Sequence, residues 1–195
     1  MRPTPPQRLL LDRLATPIGV ALLVSDETGT LRALDWSDHQ HRMQHLLRLQ
    51  YGSASLEHGA APTATKHHLE KYFAGDLDCL ALIAWTTAGT SFQRAVWAAL
   101  AAIPAGTAMS YGALAAQLGR PASVRAVGGA NGSNPISVVV PCHRLVGADG
   151  ALTGYGGGVA RKLWLLRHEG ATFRGRPFDA ILPGVRAGSA EADPL

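Results

Sequence analysis

Ser110-Tyr111-Gly112-Ala113-Leu114-Ala115-Ala116-Gln117-Leu118, followed by Gly119-Arg120-Pro121 and then Ser123-Val124-Arg125-Ala126-Val127-Gly128-Gly129-Ala130-Asn131, is the stretch on which the fold turns. Tyr111, Leu114, Ala115 and Leu118 fall at helical spacing, which predicts a short helix with those residues inward. Gly119-Arg120-Pro121 is a turn, because glycine reaches positive φ and proline cannot continue a helix. A second helix is predicted from about Ser123 to Asn131. Helix, tight Gly-containing turn and helix form a helix-turn-helix arrangement. The second helix is built almost wholly of small residues, which either let it pack tightly on a neighbour or let its backbone approach another surface closely. Arg125 is its one long side chain.

Working outward toward the N-terminus, Ser91 is expected to cap a helix running to about Ala102, with Phe92, Val96, Trp97 and Leu100 on one face. The stretch from Ala84 to Thr90 reads as a short linker. From Leu9 to Trp36, β-rich apolar runs are broken at Thr16-Pro17-Ile18-Gly19 and Asp26-Glu27-Thr28-Gly29, the pattern of hairpin-connected antiparallel strands. Helical spacing recurs in Asp38 to Leu49 (Met43, Leu46, Leu47) and in Thr65 to Phe73 (Leu69, Tyr72, Phe73), the latter ending at Gly75. Toward the C-terminus, Ile136 to Val140 is a candidate buried strand that delivers the chain into Pro141-Cys142-His143-Arg144, and Gly147-Ala148-Asp149-Gly150 is a turn. The expected organisation is α/β (α+β): an N-terminal unit over 1–88, a small antiparallel sheet with helices; a mostly helical C-terminal unit over 89–172; and a loosely ordered tail over 173–195.

The 195 residues are 47% hydrophobic and 16% charged, enough to bury a real core. No run of about eighteen apolar residues occurs and the first residues lack a signal-peptide core, so a soluble cytoplasmic protein off the membrane is expected. Cys79 and Cys142 are the two cysteines, too few for a disulfide framework or a Cys-x-x-Cys metal clip. The formal charge is +4, but its distribution is uneven: Ser91 to Gly170 holds seven Arg or Lys against two acids. That asymmetry suits a phosphate-contacting face, and equally a merely solvated basic surface. His41 and His45 stand four apart on a predicted helix, yet no cysteine or carboxylate cluster completes a tetrahedral set, so surface histidines are expected and no metal.

Cys142 is the residue that points to chemistry. Free cysteine has a pKa near 8.5, leaving only about 3% thiolate at neutral pH, and attack on an alkyl carbon needs more. His143, Arg144 and a later glutamate could supply the activation. On a strand His143 and Cys142 would point to opposite faces, so their cooperation requires an irregular backbone or a bridging water. An isolated Cys-His pair is more often an inert core thiol beside a histidine.

Several motifs together carry more weight. Arg125-Ala126-Val127-Gly128-Gly129-Ala130-Asn131, Asn134-Pro135, Pro141-Cys142-His143-Arg144, Gly154-Tyr155-Gly156-Gly157-Gly158 and Lys162-Leu163-Trp164-Leu165-Leu166-Arg167-His168-Glu169-Gly170 resemble the O6-alkylguanine-DNA alkyltransferases. The resemblance is strong from Ser91 to Gly170 and weaker from Leu10 to Gly75, and is nearest to the bacterial type without a fused regulatory domain. It implies a ribonuclease-H-like N-terminal unit, a winged-helix-like C-terminal unit, and a monomer that binds double-stranded DNA through the minor groove. It also implies a stoichiometric transfer of an alkyl group from guanine O6, and by the same token thymine O4, to Cys142 without a cofactor. By resemblance His143 acts through a water as base, Glu169 orients it, Tyr111 protonates the departing guanine, and Asn134 braces the turn before the reactive site. Arg125 fills the gap left by the flipped nucleotide, with Ser123, Arg120, Ala126 and Gly129 along the DNA. Leu145, Tyr155, Gly156, Gly157 and Ser137 surround the base.

Three positions depart from relatives. Leu145 stands where many have Val, but the family's contact there is a backbone carbonyl. Gly156 is Ser in some, leaving only a backbone N–H to meet the guanine oxygen. Ser137 replaces a proline that in some relatives packs against bulky substrates, so that contact with benzyl-sized groups is missing. Two other classes compete: a hydrolase using Cys142, His143 and Glu169, for which the sequence marks no oxyanion hole, and a non-enzymatic DNA-binding module, whose lesion-sensing form would lack the thiol.

Overall fold

The computed structural model describes residues 8–52 and 54–178. Strands β1 (Arg8–Thr16), β2 (Gly19–Asp26) and β3 (Leu31–Trp36) form the expected antiparallel meander. Successive side chains on β2 serve two cores, as the two-residue period of a strand requires. Leu22 and Val24 pack with Met43, Leu47 and Tyr51 of helix α1 (Gln40–Tyr51), whereas Ala21 and Leu23 join a larger cluster on the opposite face. A fourth strand, β4 (Ser55–His58), pairs parallel to β1, giving the order β3-β2-β1-β4. Its four residues include one leucine and no alternation, so periodicity gave no sign of it.

Helix α2 (Thr63–Phe73) packs beneath the sheet, and its residues Leu69 and Tyr72 enter the larger cluster. Helix α3 (Ser91–Ala101) is capped one residue earlier than expected. Thr90, not Ser91, accepts from the Gln93 amide at 3.1 Å, and the Gln93 side chain returns to the Thr90 amide at 2.8 Å. This reciprocal box satisfies two otherwise orphaned donors. Ser110 caps α4 (Tyr111–Gln117); Gly119, at φ +69°, turns the chain; a short turn over Pro121–Ser123 leads into α5 (Val124–Gly132). The helix-turn-helix is therefore present at the predicted place.

The β3 edge is where the later part of the chain attaches. Leu31 exchanges backbone hydrogen bonds with Ala84 and Thr86, and Leu34 with Pro135 and Ser137, at 2.8–3.1 Å. The larger apolar cluster runs without a break from Leu23, Leu34 and Trp36 through Val96, Trp97 and Leu100 to Val140, Cys142 and Leu165. Ile136 to Val140 is buried as expected but is not a strand. It forms a single β-bridge to β3, Ile136 opposite Leu34, then turns, with Val138 at φ +68°. Strands β5 (Met109–Ser110) and β6 (Leu145–Val146) pair in parallel, and α6 (Val159–His168) closes the site.

Residues 173–178 of the expected loose tail are built into the fold. Strands β7 (Thr172–Phe173) and β8 (Arg176–Pro177) form a hairpin whose Phe173, with the adjacent Phe178, is buried against Ala108, Val146 and Leu166. Two large aromatic side chains supply apolar area that periodicity over so short a run could not reveal. Residues 179–195 of that expected tail lie outside the described residues.

Because Thr90 rather than Ser91 caps α3, Thr90→Ala is expected to cost about 1 kcal/mol. Ser91→Ala should change stability by less than about 0.5 kcal/mol. The shift in urea midpoint at unchanged m-value measures both.

Candidate active site

Asn134 organises the loop that carries the thiol. Its Nδ2 donates to the carbonyls of Val140 (2.9 Å) and Ile136 (3.3 Å), while its Oδ1 accepts from the Ile136 amide (3.0 Å). A fully buried amide thus closes a seven-residue loop on itself and holds Val138 in a left-handed conformation that a β-branched residue avoids. From Cys142 to Arg144 the chain is a 3-10 turn, not a strand. Three residues per turn send consecutive side chains in three directions rather than to opposite faces. The backbone here is thus irregular, and Cys142 and His143 are not sent to opposite faces as they would be on a strand.

Glu169, just after α6, is the centre of that site. His143 Nε2 lies 2.9 Å from its Oε1, and Arg144 reaches both oxygens, Nη2 to Oε1 at 2.8 Å and Nε to Oε2 at 2.9 Å. Arg144 also donates to the Ile103 carbonyl, and Tyr72 donates to Oε1 at 2.8 Å. Burial works against the Glu169 charge, but His143 and Arg144 outweigh it and hold the carboxyl far below its ordinary range. An ionised carboxylate can only accept, so Nε2 of His143 carries the hydrogen. Nδ1, buried and without a protein partner, is left with its lone pair. Burial lowers the His143 pKa against the opposing pull of Glu169, with Arg144 and Lys162 adding to the lowering. A neutral imidazole with a free basic nitrogen results.

Cys142 is 3% exposed, and burial raises its pKa; Asn134, Arg42 and Lys162 act in the opposite direction. The resting thiol keeps its proton and needs a base. Tyr111, the first residue of α4, is half-buried and receives a 3.4 Å hydrogen bond from Asn131. Burial first, and Cys142 second, raise its pKa, so its phenol remains a donor. Tyr155 packs edge-on against His143 with ring centroids 6.4 Å apart, and the buried Ser137 hydroxyl lies beside it. Leu145 is fully buried in β6, so its side chain belongs to the core.

Four residues that sequence reasoning left out of the site hold it from outside. Arg42 of α1 pairs with Asp35 at 2.5 Å and donates to the carbonyls of Gly132 (2.9 Å) and Asn134 (3.0 Å), joining the end of α5 to the thiol loop. Lys162 is buried and donates to the Thr153 carbonyl at 2.8 Å; burial lowers its pKa to about 8, opposed by Cys142. Arg161 lies over the Trp36 ring at 4.7 Å and donates to the carbonyls of Ile18 and Gly157. Tyr72 is the fourth. Single cations such as Arg42, Arg161 and Lys162 carry no periodic signal that would have singled them out, and the helical spacing of Tyr72 marked it only as a packing residue.

The glycines of the two motifs have opposite surroundings. A Cβ on Gly157 would stand 2.3 Å from Trp36 Nε1, so packing requires glycine there, whereas one on Gly156 would meet the flexible end of Arg42 at 2.5 Å. On α5, a Cβ on Gly128 or Gly129 would meet nothing within 4 Å. Val127, Ala130 and Asn131 face the core, while Arg125, Ala126 and Gly129 are exposed. Tight packing inside this molecule therefore does not account for Gly128 and Gly129. Arg120 lies over Phe92 at 5.7 Å on the turn before α5, and Ser123 is half-buried there. Among the described residues, no group of three His, Cys, Asp or Glu could hold a metal ion, and no helix is long and apolar enough to cross a membrane.

Residues 91–171 match the family model of the 6-O-methylguanine DNA methyltransferase DNA-binding domain. The methylated-DNA–protein-cysteine methyltransferase of Salmonella typhimurium is 53% identical over 165 residues, 84% of this chain and 96% of the relative. The chain belongs to this methyltransferase family. The Shigella flexneri relative of the same name is 51% identical over 84% of this chain and 96% of its own. Among solved structures, Mycobacterium tuberculosis OGT in complex with DNA superposes with a TM-score of 0.69 at 37% identity, covering 83% of this chain and 92% of that one. The O6-methylguanine-DNA methyltransferase of Pyrococcus kodakaraensis KOD1 gives 0.68 at 28% identity, covering 84% and 99%. Of the two buried thiols, Cys79 and Cys142, it is Cys142 that has a histidine beside it in the chain.

The two glycine environments predict opposite responses. Gly157→Ala should destabilise the fold by about 1–3 kcal/mol through overpacking on Trp36. Gly129→Ala should stabilise it by roughly 0.5–1 kcal/mol, because alanine is the better helix former and meets no obstacle. Thermal or urea unfolding of the free protein measures both.

Proposed function

We propose that the chain repairs alkylated duplex DNA by moving the alkyl group from O6 of guanine, or O4 of thymine, onto Cys142 in a single irreversible turnover. The observation that carries this reading is the buried Glu169–His143 pair, with the buried Cys142 thiol next to His143 on the same 3-10 turn. Glu169 holds the Nε2–H of a neutral His143, leaving Nδ1 free to take a proton from a thiol that burial keeps protonated.

In the step, the thiol proton passes through one water to His143 Nδ1, and the Cys142 Sγ electron pair forms a bond to the alkyl carbon. The bond from that carbon to O6 breaks, and its electron pair stays with the guanine. The Tyr111 phenol donates its proton to the guanine, which leaves as a neutral base. The product is a thioether, which water does not cleave as it would a thioester, so each molecule acts once.

An alkyl group on O6 points into the base stack, so the nucleotide must leave the duplex at a cost of roughly a few kcal/mol, less for a mispaired lesion. The exposed face of α5 suits the minor groove: Ala126 and Gly129 allow close approach and Arg125 takes the vacated place, with Ser123 and Arg120 toward the phosphates. Open space at Gly128 and Gly129 supports an external rather than an internal reason for their smallness. Asn134 acts as the brace, and Tyr155, Gly156, Gly157, Ser137 and the Leu145 backbone surround the base. We place this monomer in the cytoplasm, in keeping with two cysteines that form no disulfide.

Incubation with a duplex carrying radiolabelled O6-methylguanine should place label on Cys142 in at most equimolar amount; release of label in repeated turnovers would overturn the reading. Cys142→Ser should abolish transfer while duplex binding survives. Arg125→Ala should slow transfer from duplex far more than from the free modified base, and equal losses on both substrates would remove its flipping role.

A further inference from the structure

Glu169 Oε1 accepts three hydrogen bonds, and the third comes from the other half of the chain. Tyr72, on α2 and 0% exposed, donates its phenol to that oxygen at 2.8 Å. The same residue grips α6 a second time, since His168 Nε2 lies 2.7 Å from the Tyr72 carbonyl and must donate to it. Two adjacent residues at the end of α6 thus close on one tyrosine, His168 on its backbone and Glu169 on its side chain. The Tyr72 ring is fixed edge-on between Phe73 (5.2 Å) and His168 (5.1 Å), and His168 stacks on Trp164 at 4.7 Å.

We propose that Tyr72 is a positioning residue for alkyl transfer, holding Glu169 Oε1 where it orients His143 and taking up part of the carboxylate's charge so that the imidazole stays a base. The proposal rests on the reading of His143 as base and Glu169 as its orienter. Its logic is competition for one oxygen. Oε1 also accepts from His143 and Arg144, while Oε2 accepts from Arg144. Donors that share an acceptor weaken one another, so removing the Tyr72 hydroxyl leaves more of the charge acting on His143 Nε2–H.

The groups around His143 are Glu169 and Lys162 from α6 and its end, Arg144 and Cys142 from its own turn, and Tyr155 from the glycine loop. Burial, Arg144 and Lys162 keep the imidazole neutral, and Glu169 opposes them. Loss of the Tyr72 donation strengthens the opposing side, so the His143 pKa rises. A base must be neutral to act, so the acid limb of the rate profile moves to higher pH. The Tyr72 phenol is held well above its ordinary pKa by burial and by Glu169, so it remains a donor across that range.

The test is Tyr72→Phe, which keeps the ring and its edge contacts, made in the full chain. Single-turnover transfer from the labelled duplex is followed against pH, and the His143 ring nitrogens are titrated by NMR without DNA. Transfer on the acid limb should fall by up to roughly tenfold, the size of one hydrogen bond to a charged group acting on the His143 equilibrium, and by less at neutral pH. The acid limb and the His143 titration should both move upward. Incorporating 3-fluorotyrosine at position 72, a stronger donor of nearly the same shape, should move the titration downward. An unmoved His143 titration in both proteins overturns the proposal, as does a rate lowered by one factor at all pH values together with a lowered unfolding midpoint. Failure of the unaltered protein to transfer label would instead sink the alkyl-transfer reading, and the NMR titrations would still decide the part played by Tyr72.

Discussion

A carboxylate taken out of water must be neutralised where it lies, and the reactive end of this protein is arranged around that requirement at Glu169. The residue is 4% exposed. An unpaired charge in such a place would cost several kcal/mol, and removing one partner of a buried ion pair typically costs about 3–5 kcal/mol. Satisfying it draws in the thiol turn through His143 and Arg144, the α3 end through the Ile103 carbonyl that Arg144 also binds, and α2 through Tyr72. Three parts of the chain distant in sequence thereby meet at one side chain, and Arg144 joins a fourth to them. The same arrangement settles the histidine tautomer, since a carboxylate at Nε2 leaves only Nδ1 to accept a proton.

The thiol loop is held by a comparable set of constraints on its other side. Asn134 closes it from within, and Arg42 ties Asn134 and the end of α5 to Asp35 at the end of the sheet. The left-handed backbone at Val138 persists because these contacts over-determine it. Trp36 and Arg161 press the glycine loop into place, which is why Gly157 leaves no room for a Cβ. The sheet-bearing half is therefore more than an appendage. It supplies Trp36, Asp35, Arg42 and Tyr72 to the frame of a site whose proposed reacting groups all come later in the chain.

Much of this was legible in the sequence, and the parts that were not share a cause. The helix-turn-helix was readable because its helices carry apolar residues at helical spacing and its turn carries Gly119 and Pro121. The antiparallel meander was readable from its two turn clusters. Strand β4 and the β7–β8 hairpin were not, because four residues or two offer no period to detect. The expected strand over Ile136 to Val140 failed for a different reason: its apolar run is a burial signal, and buried irregular backbone braced by an asparagine writes the same run. Thr90 displaced Ser91 as the α3 cap because Gln93 stands three residues after Thr90 and completes the box.

Sequence alone determined which residues were available for chemistry: one thiol beside a histidine, a glutamate at the end of a helix, a tyrosine at the start of another, and a small-residue helix with one arginine. Spacing cannot say how side chains remote along the chain meet, because contact depends on how elements pack and not on the order in which they are joined. Only the tertiary structure decided that Cys142 sits on a 3-10 turn, that Glu169 lies within 2.9 Å of His143, that Tyr72 on α2 and Arg42 on α1 reach over to hold the frame, and that the glycines of α5 face open space while Gly157 faces Trp36. The physical reason is burial. Charges and polar groups withdrawn from water have to find partners wherever the fold brings them, and that demand is met in three dimensions.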